Sequence, residues 1–155
     1  MKQHLVIRTA QAGDYADWRP LWDGYNAFYG RAGDTALPEA ITAQTWARFF
    51  DPAEPVDALL AEQDGRIIGL VHTVIHRSTT RLADVCYLQD LFTAPEARGR
   101  GAARALIEAV YRQAAARGCN RVYWQTHDSN RAARALYDKM GENKGFIIYG
   151  LELPA

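Results

Sequence analysis

The spacing of apolar residues predicts one strand and two helices in the first third of the chain. Leu5–Arg8 is a short apolar run typical of a strand. A helix is predicted over Tyr15–Tyr29, because apolar residues recur there at helical spacing: Trp18, Leu21, Trp22, Tyr25 and Tyr29. Asp14 is a suitable N-cap for it, and Pro20 predicts a kink or a break inside it. A second helix is predicted over Glu39–Phe50.

The middle of the chain changes to a strand pattern. Val56–Glu62 and Arg66–His76 are apolar runs separated by a short polar segment that contains Asp64-Gly65. An Asp-Gly pair between two such runs indicates a hairpin with a tight turn. A third strand of the same meander is predicted over Asp84–Thr93, and Pro95 ends it.

The last third alternates between helix and strand. An apolar stripe predicts a long helix over Gly101–Arg117, with Gly118 as its C-cap. Arg121–His127 is predicted as a strand, and the three cap-forming residues Asp128-Ser129-Asn130 start another helix after it. The final strand is predicted over Phe146–Leu153.

This order of elements predicts an α/β (α+β) fold. The sheet is expected to be central, mixed and mostly antiparallel, with helices on both faces. The two strands that are joined through the long helix should run parallel. A length of 155 residues suits one domain, which we expect to span residues 1–155.

Composition and charge limit the possible partners. Hydrophobic residues make up 48% of the chain, and Lys+Arg equals Asp+Glu at 18 each. A nucleic-acid-binding protein usually carries a basic surplus, so we expect no nucleic-acid partner. No run approaches the roughly 20 apolar residues that span a bilayer, and no signal-peptide pattern is present. These features predict a cytoplasmic protein without a membrane partner. Cys86 and Cys119 are expected to be buried, unreactive thiols.

One segment carries the strongest sign of chemistry. The apolar strand that ends at Thr93 leads into Arg98-Gly99-Arg100-Gly101-Ala102-Ala103, at the start of the long helix. A helix N-terminus presents unpaired N–H groups and a partial positive charge, which suits a phosphate. The segment lacks the Gly-Lys-Ser/Thr of a Walker A loop and the Gly-x-Gly-x-x-Gly of a dinucleotide site. From these residues alone, a solvated basic turn is an equally good interpretation.

Two motifs resemble those of one acyltransferase superfamily. Arg98–Ala103 is similar to the Gln/Arg-x-x-Gly-x-Gly/Ala motif of the GNAT superfamily of N-acetyltransferases, and Asn130–Tyr137 is similar to its Asn-x-x-Ala-x-x-Leu-Tyr helix. Tyr87–Phe92 resembles a strand of diamine acetyltransferases, and Val122–Asn130 resembles a segment of fungal Hpa-type acetyltransferases. The resemblance implies the GNAT fold and acetyl-CoA as co-substrate.

The resemblance also implies roles for individual residues. The pyrophosphate of acetyl-CoA would bind the loop formed by Arg98, Gly99, Arg100, Gly101, Ala102 and Ala103, and the pantetheine arm would pair with Leu91, Phe92 and Thr93. Asn130 would hydrogen-bond the co-substrate. Tyr137 would act as the general acid that protonates the departing thiolate. From the helix pattern alone, Asn130 could instead be a helix-start residue that satisfies backbone donors, and Tyr137 is better interpreted as a core residue on the apolar face of its helix.

The general base is less well indicated. Diamine acetyltransferases carry a glutamate where this chain has Gln89, and an amide is not a base. We take the adjacent Asp90 as the catalytic candidate, although successive strand residues face opposite sides unless a bulge intervenes. Other candidates are Glu62, His72, His127 and water. No metal-ligand spacing is present, so no metal is expected.

The acceptor site is expected to face the first helices. Tyr25 and Tyr29 would line it together with Gln89, since an aromatic wall can hold an amine. Asp23 or Asp34 would pair with a second cationic group. The favoured substrate is a small-molecule amine, polyamine- or amino-acid-like.

Four further hypotheses stay open at this point. The first is a protein N-acetyltransferase that acts on lysine or an N-terminus. The second is an acyl-CoA-binding sensor without turnover, and the third is a nucleotide-phosphate binding module. The fourth concerns assembly, since a homodimer is compatible with the sequence.

Overall fold

The fold is built on one five-stranded sheet in the order β1-β2-β3-β4-β5. The structure, a computed structural model, describes residues 4–155. Three short 3-10 turns connect regular elements in the described chain. The helices and strands are β1 Leu5–Thr9, α1 Tyr15–Phe28, α2 Glu39–Arg48, β2 Val56–Gln63, β3 Arg66–His76, β4 Val85–Thr93, α3 Ala102–Ala116, β5 Val122–Tyr123 and α4 Arg131–Met140.

The sheet has the mixed, mostly antiparallel pairing that the sequence predicts. β1, β2, β3 and β4 pair antiparallel in succession, and β5 joins β4 in parallel after the α3 crossover. The hairpin between β2 and β3 is confirmed. Its two turn residues, Asp64 and Gly65, have φ angles of 51° and 79°, which a tight primed turn requires and an Asp-Gly pair tolerates.

Helices α1 and α3 cover opposite faces of the sheet. In the antiparallel pair of β3 and β4, Leu70 lies opposite Phe92 and Gly69 lies opposite Thr93. The Phe92 ring approaches α1, since a Cβ added at Gly24 would lie 2.9 Å from it. A Cβ added at Gly69 would lie 3.2 Å from Leu106 of α3. Because neighbouring strand residues point to opposite faces, the prediction of helices on both faces is confirmed.

The start of α1 differs from the sequence prediction in two respects. Helix α1 continues through Pro20, so the predicted break is wrong. Trp18, Leu21 and Trp22 are buried around the proline, and this burial offsets the missing backbone hydrogen bond. Asp14 does not cap α1 with its side chain. Its carboxylate accepts hydrogen bonds from Arg8 at 2.8 and 2.9 Å.

The predicted strands after α3 are shorter than expected or absent. Strand β5 contains only Val122 and Tyr123 of the predicted residues 121–127. The strand predicted over residues 146–153 is wrong, since this segment has no regular secondary structure and exposes side chains such as Phe146. An apolar run becomes a strand only where a neighbour supplies backbone partners, and none pairs with this segment in the described residues.

The described chain forms two compact units. The first ends at Gln125 and contains the whole sheet, and the second is Thr126–Ala155 with α4. The single domain over residues 1–155 stays a prediction. No helix within residues 4–155 is long and apolar enough to cross a membrane.

Candidate functional site

A bulge in β4 places Asp90. Across the pair of β3 and β4, Thr73 lies opposite Leu88 and His72 opposite Asp90, so Gln89 is the extra residue. Such a bulge bends the strand and re-aims the side chain that follows. Gln89 is exposed, whereas Asp90 is buried at 8% exposure. The structure therefore turns Asp90 inward on the side of His72, and Gln89 outward.

The carboxylate of Asp90 belongs to a buried hydrogen-bonded chain. The Oδ2 atom of Asp90 lies 2.8 Å from Nδ1 of His72, and Nε1–H of Trp18 donates to Nε2 of His72 over 3.0 Å. An indole nitrogen can only donate, so Nε2 of His72 must be the unprotonated ring nitrogen. The proton of the neutral imidazole is then on Nδ1, and it is donated to Asp90.

Tyrosines surround the other side of this carboxylate. Tyr25 lies near Asp90, and the pKa of Tyr25 is raised, first by burial and then by the negative charge of Asp90. The Tyr29 ring lies 5.0 Å from that of Tyr25. The pKa of Tyr87 is also raised by burial, with smaller contributions from Tyr123 and Asp90. The structure thus brings the predicted residues Asp90, Tyr25 and Tyr29 together.

The end of β4 presents a strand edge. Pairing of β4 with β5 ends at Tyr87 and Tyr123, so residues 88–93 have no β5 partner in the described chain. An unpaired strand edge can bind an extended, amide-containing ligand. Thr93 contributes a buried hydroxyl for which the described residues offer no hydrogen-bond partner. The three residues predicted to pair with pantetheine, Leu91, Phe92 and Thr93, lie along this edge.

The loop before α3 has the backbone of an anion site. Gly99 and Gly101 have φ angles of 80° and 85°, and a Cβ at either would meet nothing within 4 Å. The first hydrogen bond of α3 runs from Ala105 N–H to the Gly101 carbonyl. Gly101 has no side chain to cap the earlier N–H groups, including those of Ala102 and Ala103. These N–H groups and the helix dipole suit a phosphate.

The two loop arginines bond to the protein in this structure. Arg98 Nε donates to the Thr93 carbonyl over 3.2 Å, and its guanidinium lies 5.5 Å from the centre of the Phe92 ring. Arg100 donates to Gln63 Oε1 over 3.3 Å. Arg98 therefore ties the loop to the end of β4, and both side chains place positive charge beside the N-terminus of α3.

The second unit carries the predicted Asn130 and Tyr137. Asn130 precedes α4 but does not cap it with its side chain, so the capping prediction is wrong; its Nδ2 donates instead to Thr126 Oγ1 over 3.3 Å. Tyr137 is half-buried within α4, and its carbonyl accepts a hydrogen bond from Gly141. The roles of Asn130 and Tyr137 toward the co-substrate stay predictions.

Two other base candidates are engaged elsewhere. Glu62 forms an ion pair with Arg8 at 3.6 Å. His127 is exposed, and its Nδ1 accepts a hydrogen bond from Ser129. Within residues 4–155, no three His, Cys, Asp or Glu side chains are placed to hold a metal ion.

Comparison with known proteins decides the family. Residues 18–141 match the model of the acetyltransferase (GNAT) family. The chain belongs to this family. The acetyltransferase is 31% identical to D-amino-acid N-acetyltransferase HPA3 of Saccharomyces cerevisiae, over 96% of this chain and 91% of that protein. It is 34% identical to the uncharacterized N-acetyltransferase YhfO of Bacillus subtilis, over 97% and 99% of the two chains.

Solved structures show the same fold. An aminoglycoside N-acetyltransferase, AAC(6')-Iy, in complex with CoA superimposes with a TM-score of 0.77 and 24% identity, over 98% of this chain and 97% of that one. Its complex with a bisubstrate analogue gives a TM-score of 0.82 at 22% identity. The GNAT fold expected from the sequence is confirmed, and so is the assignment of the chain as an acyltransferase.

Sequence reasoning missed two buried residues that orient Asp90 in the acetyltransferase. Trp18 was interpreted as an ordinary core residue, and His72 only as an alternative base. The structure shows both as supports of Asp90. A weak signal was present in the strand pattern, since a histidine in β3 and an aspartate in β4 can lie opposite each other. The bulge that brings them into register has no signature in the sequence.

Proposed function

We propose that the protein transfers the acetyl group of acetyl-CoA to the primary amine of a small molecule, polyamine- or amino-acid-like. Asp90 is the observation that carries this proposal. It is a buried carboxylate, held by His72 and close to Tyr25, on a strand whose far end has an unpaired edge and leads to the glycine-rich loop before α3. The named relatives, which include a D-amino-acid and an aminoglycoside N-acetyltransferase, support an amine acceptor.

The residues of this chain would bind acetyl-CoA along β4 and α3. The pyrophosphate would accept hydrogen bonds from the backbone of Arg98–Ala103. The pantetheine arm would pair with the edge at Leu91, Phe92 and Thr93, and the orphan Thr93 hydroxyl would gain a partner. Asn130 would hydrogen-bond the co-substrate, as the family resemblance implies.

The reaction would proceed by direct attack in a ternary complex. An aliphatic ammonium has a pKa of about 10 and must lose a proton before its nitrogen can attack. Asp90 would accept that proton, and the nitrogen would form a bond to the thioester carbonyl carbon. The attacking nitrogen would then lose its second proton to solvent as the carbon–sulfur bond breaks, and Tyr137 would protonate the leaving thiolate. No nucleophile of the enzyme is needed.

Thiol release tests the proposal. The purified protein would be incubated with acetyl-CoA and a panel of amines, comprising spermidine, putrescine, D- and L-amino acids, an aminoglycoside and a histone-tail peptide. We expect turnover with at least one small molecule and little with the peptide. Peptide-only turnover would favour a protein acetyltransferase. Heat protection by acetyl-CoA without any turnover would favour an acyl-CoA sensor.

A further inference from the structure

The end of α1 carries a guanidinium that the reaction does not account for. Helix α1 ends at Phe28, and Gly30, with a φ angle of 79°, lets the chain turn back. The N–H of Arg31 bonds to the Asn26 carbonyl over 2.8 Å. The half-buried Arg31 side chain then folds over the last turn of the helix, toward Tyr25 and Tyr29.

The guanidinium of Arg31 is fixed from one side only. Its Nε donates to Asn26 Oδ1 over 2.7 Å, and Asn26 is itself buried and bonded to the Trp22 carbonyl. The guanidinium carbon lies 5.8 Å and 5.5 Å from the ring centres of Tyr25 and Tyr29. No carboxylate within the described residues forms an ion pair with Arg31. Its two terminal nitrogens present a planar pair of N–H donors, here called the fork, that can bind both oxygens of one carboxylate.

The fork lies beside the proposed general base. Tyr25 lies between the two groups. Its ring centre is 5.8 Å from the guanidinium carbon of Arg31. Its ring also stacks on Trp22, which lies 5.3 Å from the His72 ring that bonds to Asp90. The negative charge of Asp90 raises the pKa of Tyr25, and the positive charge of Arg31 opposes that rise. An acceptor whose amine meets Asp90 therefore extends toward a fixed positive charge. That charge repels the second ammonium of a polyamine and attracts a carboxylate.

The acidic residues that could favour a polyamine do not offset this charge. Asp23 is already bonded to Arg19 at 2.9 Å, and its side chain is 57% exposed. Asp34 is exposed on the loop after Arg31 and forms no ion pair with it in the described structure. The charged groups near Tyr25 are thus one anion, Asp90, and one cation, Arg31.

We propose that Arg31 is a specificity residue that binds the carboxylate of an amino-acid acceptor while Asp90 receives the proton of its amine. This inference rests on the proposed function and narrows its substrate class from small amines to amino acids. The Arg31 fork would bind both carboxylate oxygens, and the Tyr25 and Tyr29 rings would hold the guanidinium in place. A neutral amide in place of the carboxylate would lose the charge-assisted pair.

The test compares each amino acid with its own primary amide in wild-type protein and in Arg31→Gln. For wild type, we expect the amino acid to exceed both its amide and putrescine in kcat/KM. In Arg31→Gln, kcat/KM for the amino acid should fall about 10- to 100-fold through KM, with the amide nearly unchanged. Arg31→Lys should be intermediate, since lysine keeps the charge without the fork. Arg48→Gln on α2 removes the same charge elsewhere and should match wild type.

Three outcomes would overturn the role of Arg31. Equal losses for amino acid and amide would show that Arg31 only supports the end of α1. Unchanged kcat/KM values for both substrates would show that the carboxylate binds elsewhere, and so would a wild-type preference for putrescine. If wild type turns over no amine, the proposed function itself fails. Calorimetry of amino-acid binding in the presence of CoA, with wild type and Arg31→Gln, then still decides whether Arg31 binds the carboxylate.

Discussion

The indole Nε1–H of Trp18 donates to Nε2 of His72, and this contact fixes which ring nitrogen faces Asp90. The two residues are 54 positions apart, and both are buried. With Nε2 occupied as an acceptor, Nδ1 carries the proton and donates to Asp90 over 2.8 Å. The carboxylate is therefore held in one orientation by a neutral imidazole whose own orientation is fixed by the indole.

Substitution of Trp18 by phenylalanine tests this support. Trp18→Phe keeps an aromatic ring but leaves Nε2 of His72 without its donor, so we expect kcat to fall by roughly 10-fold. Trp22→Phe is the matched control, because the Trp22 indole bonds to Thr42 instead. Nitrogen NMR of the wild-type ring should show the Nδ1–H tautomer. A ring protonated on Nε2, or equal losses in both variants, would contradict the assignment.

Substitution of Asp90 by asparagine tests the general base. An amide still accepts the His72 hydrogen bond but cannot take a proton from the amine, so we expect kcat to fall about 10²- to 10⁴-fold. CoA affinity, measured by calorimetry, should be unchanged. Asp23→Asn on the exposed side of α1 is the control. A folded Asp90→Asn protein with full turnover would leave water as the proton acceptor.

The anion loop is tested with a pair of glycines on one helix. Gly101 and Gly118 both have positive φ angles, 85° and 82°, at the two ends of α3, which are about 20 Å apart. Either change to glutamate strains the backbone equally. We expect Gly101→Glu to weaken acetyl-CoA binding at least about 10-fold, because a carboxylate would replace the pyrophosphate. Gly118→Glu should bind normally, and equal affinities would remove the loop from the binding site.

The role of Tyr137 is tested by removal of its hydroxyl. Tyr137→Phe should lower turnover by roughly 10²-fold or more, the usual effect of a lost acid–base group, with CoA binding nearly intact. The ratio of wild-type to Tyr137→Phe turnover should be smaller with an acyl donor whose thiol is more acidic, because a more acidic thiol can leave as the thiolate without a proton. A fully active variant would exclude Tyr137 from the mechanism.

The buried thiol of Cys86 predicts a dependence of stability on pH. Burial is the main cause that raises its pKa from 9.0 to about 11. Because the folded-state pKa is the higher one, the protonated Cys86 thiol contributes to the free energy of unfolding. That contribution is fully present below pH 9 and is lost as the pH rises from 9 to 11. The slope is at most about 1.4 kcal/mol per pH unit. Denaturant titrations of wild type and Cys86→Ala should diverge over that range, and parallel curves would contradict the assignment.

Local signals in the sequence predicted much of the fold. The Asp64-Gly65 turn and the Gly118 helix end depend on backbone conformations that few residues adopt, so those residue types mark them. The strand expected over residues 146–153 failed because apolar character alone does not supply a pairing neighbour. Pro20 failed as a breaker because the buried tryptophans around it stabilise the helix.

The candidate site was predicted in part. Asp90, Tyr25 and the loop at residues 98–103 were found because a motif or an aromatic cluster marks each of them. The contacts of Asp90 with His72 and of His72 with Trp18 were not predicted. They connect two strands and a helix, and they depend on the bulge at Gln89, which the sequence does not mark. Arg31 was overlooked for a related reason: an arginine after a helix has no pattern that separates a surface charge from a binding group.

The extra residue in β4 has a practical consequence for protein engineering. Deletion of Gln89 would leave Asp90 opposite His72 but would remove the local bend and added twist that the bulge gives to β4 beside the carboxylate. A designer who transplants this carboxylate and its imidazole onto another sheet must therefore copy the irregularity along with the two side chains. In a library of shortened variants, activity should tolerate trimming of the loop at residues 78–82 far better than the loss of this one position in the strand.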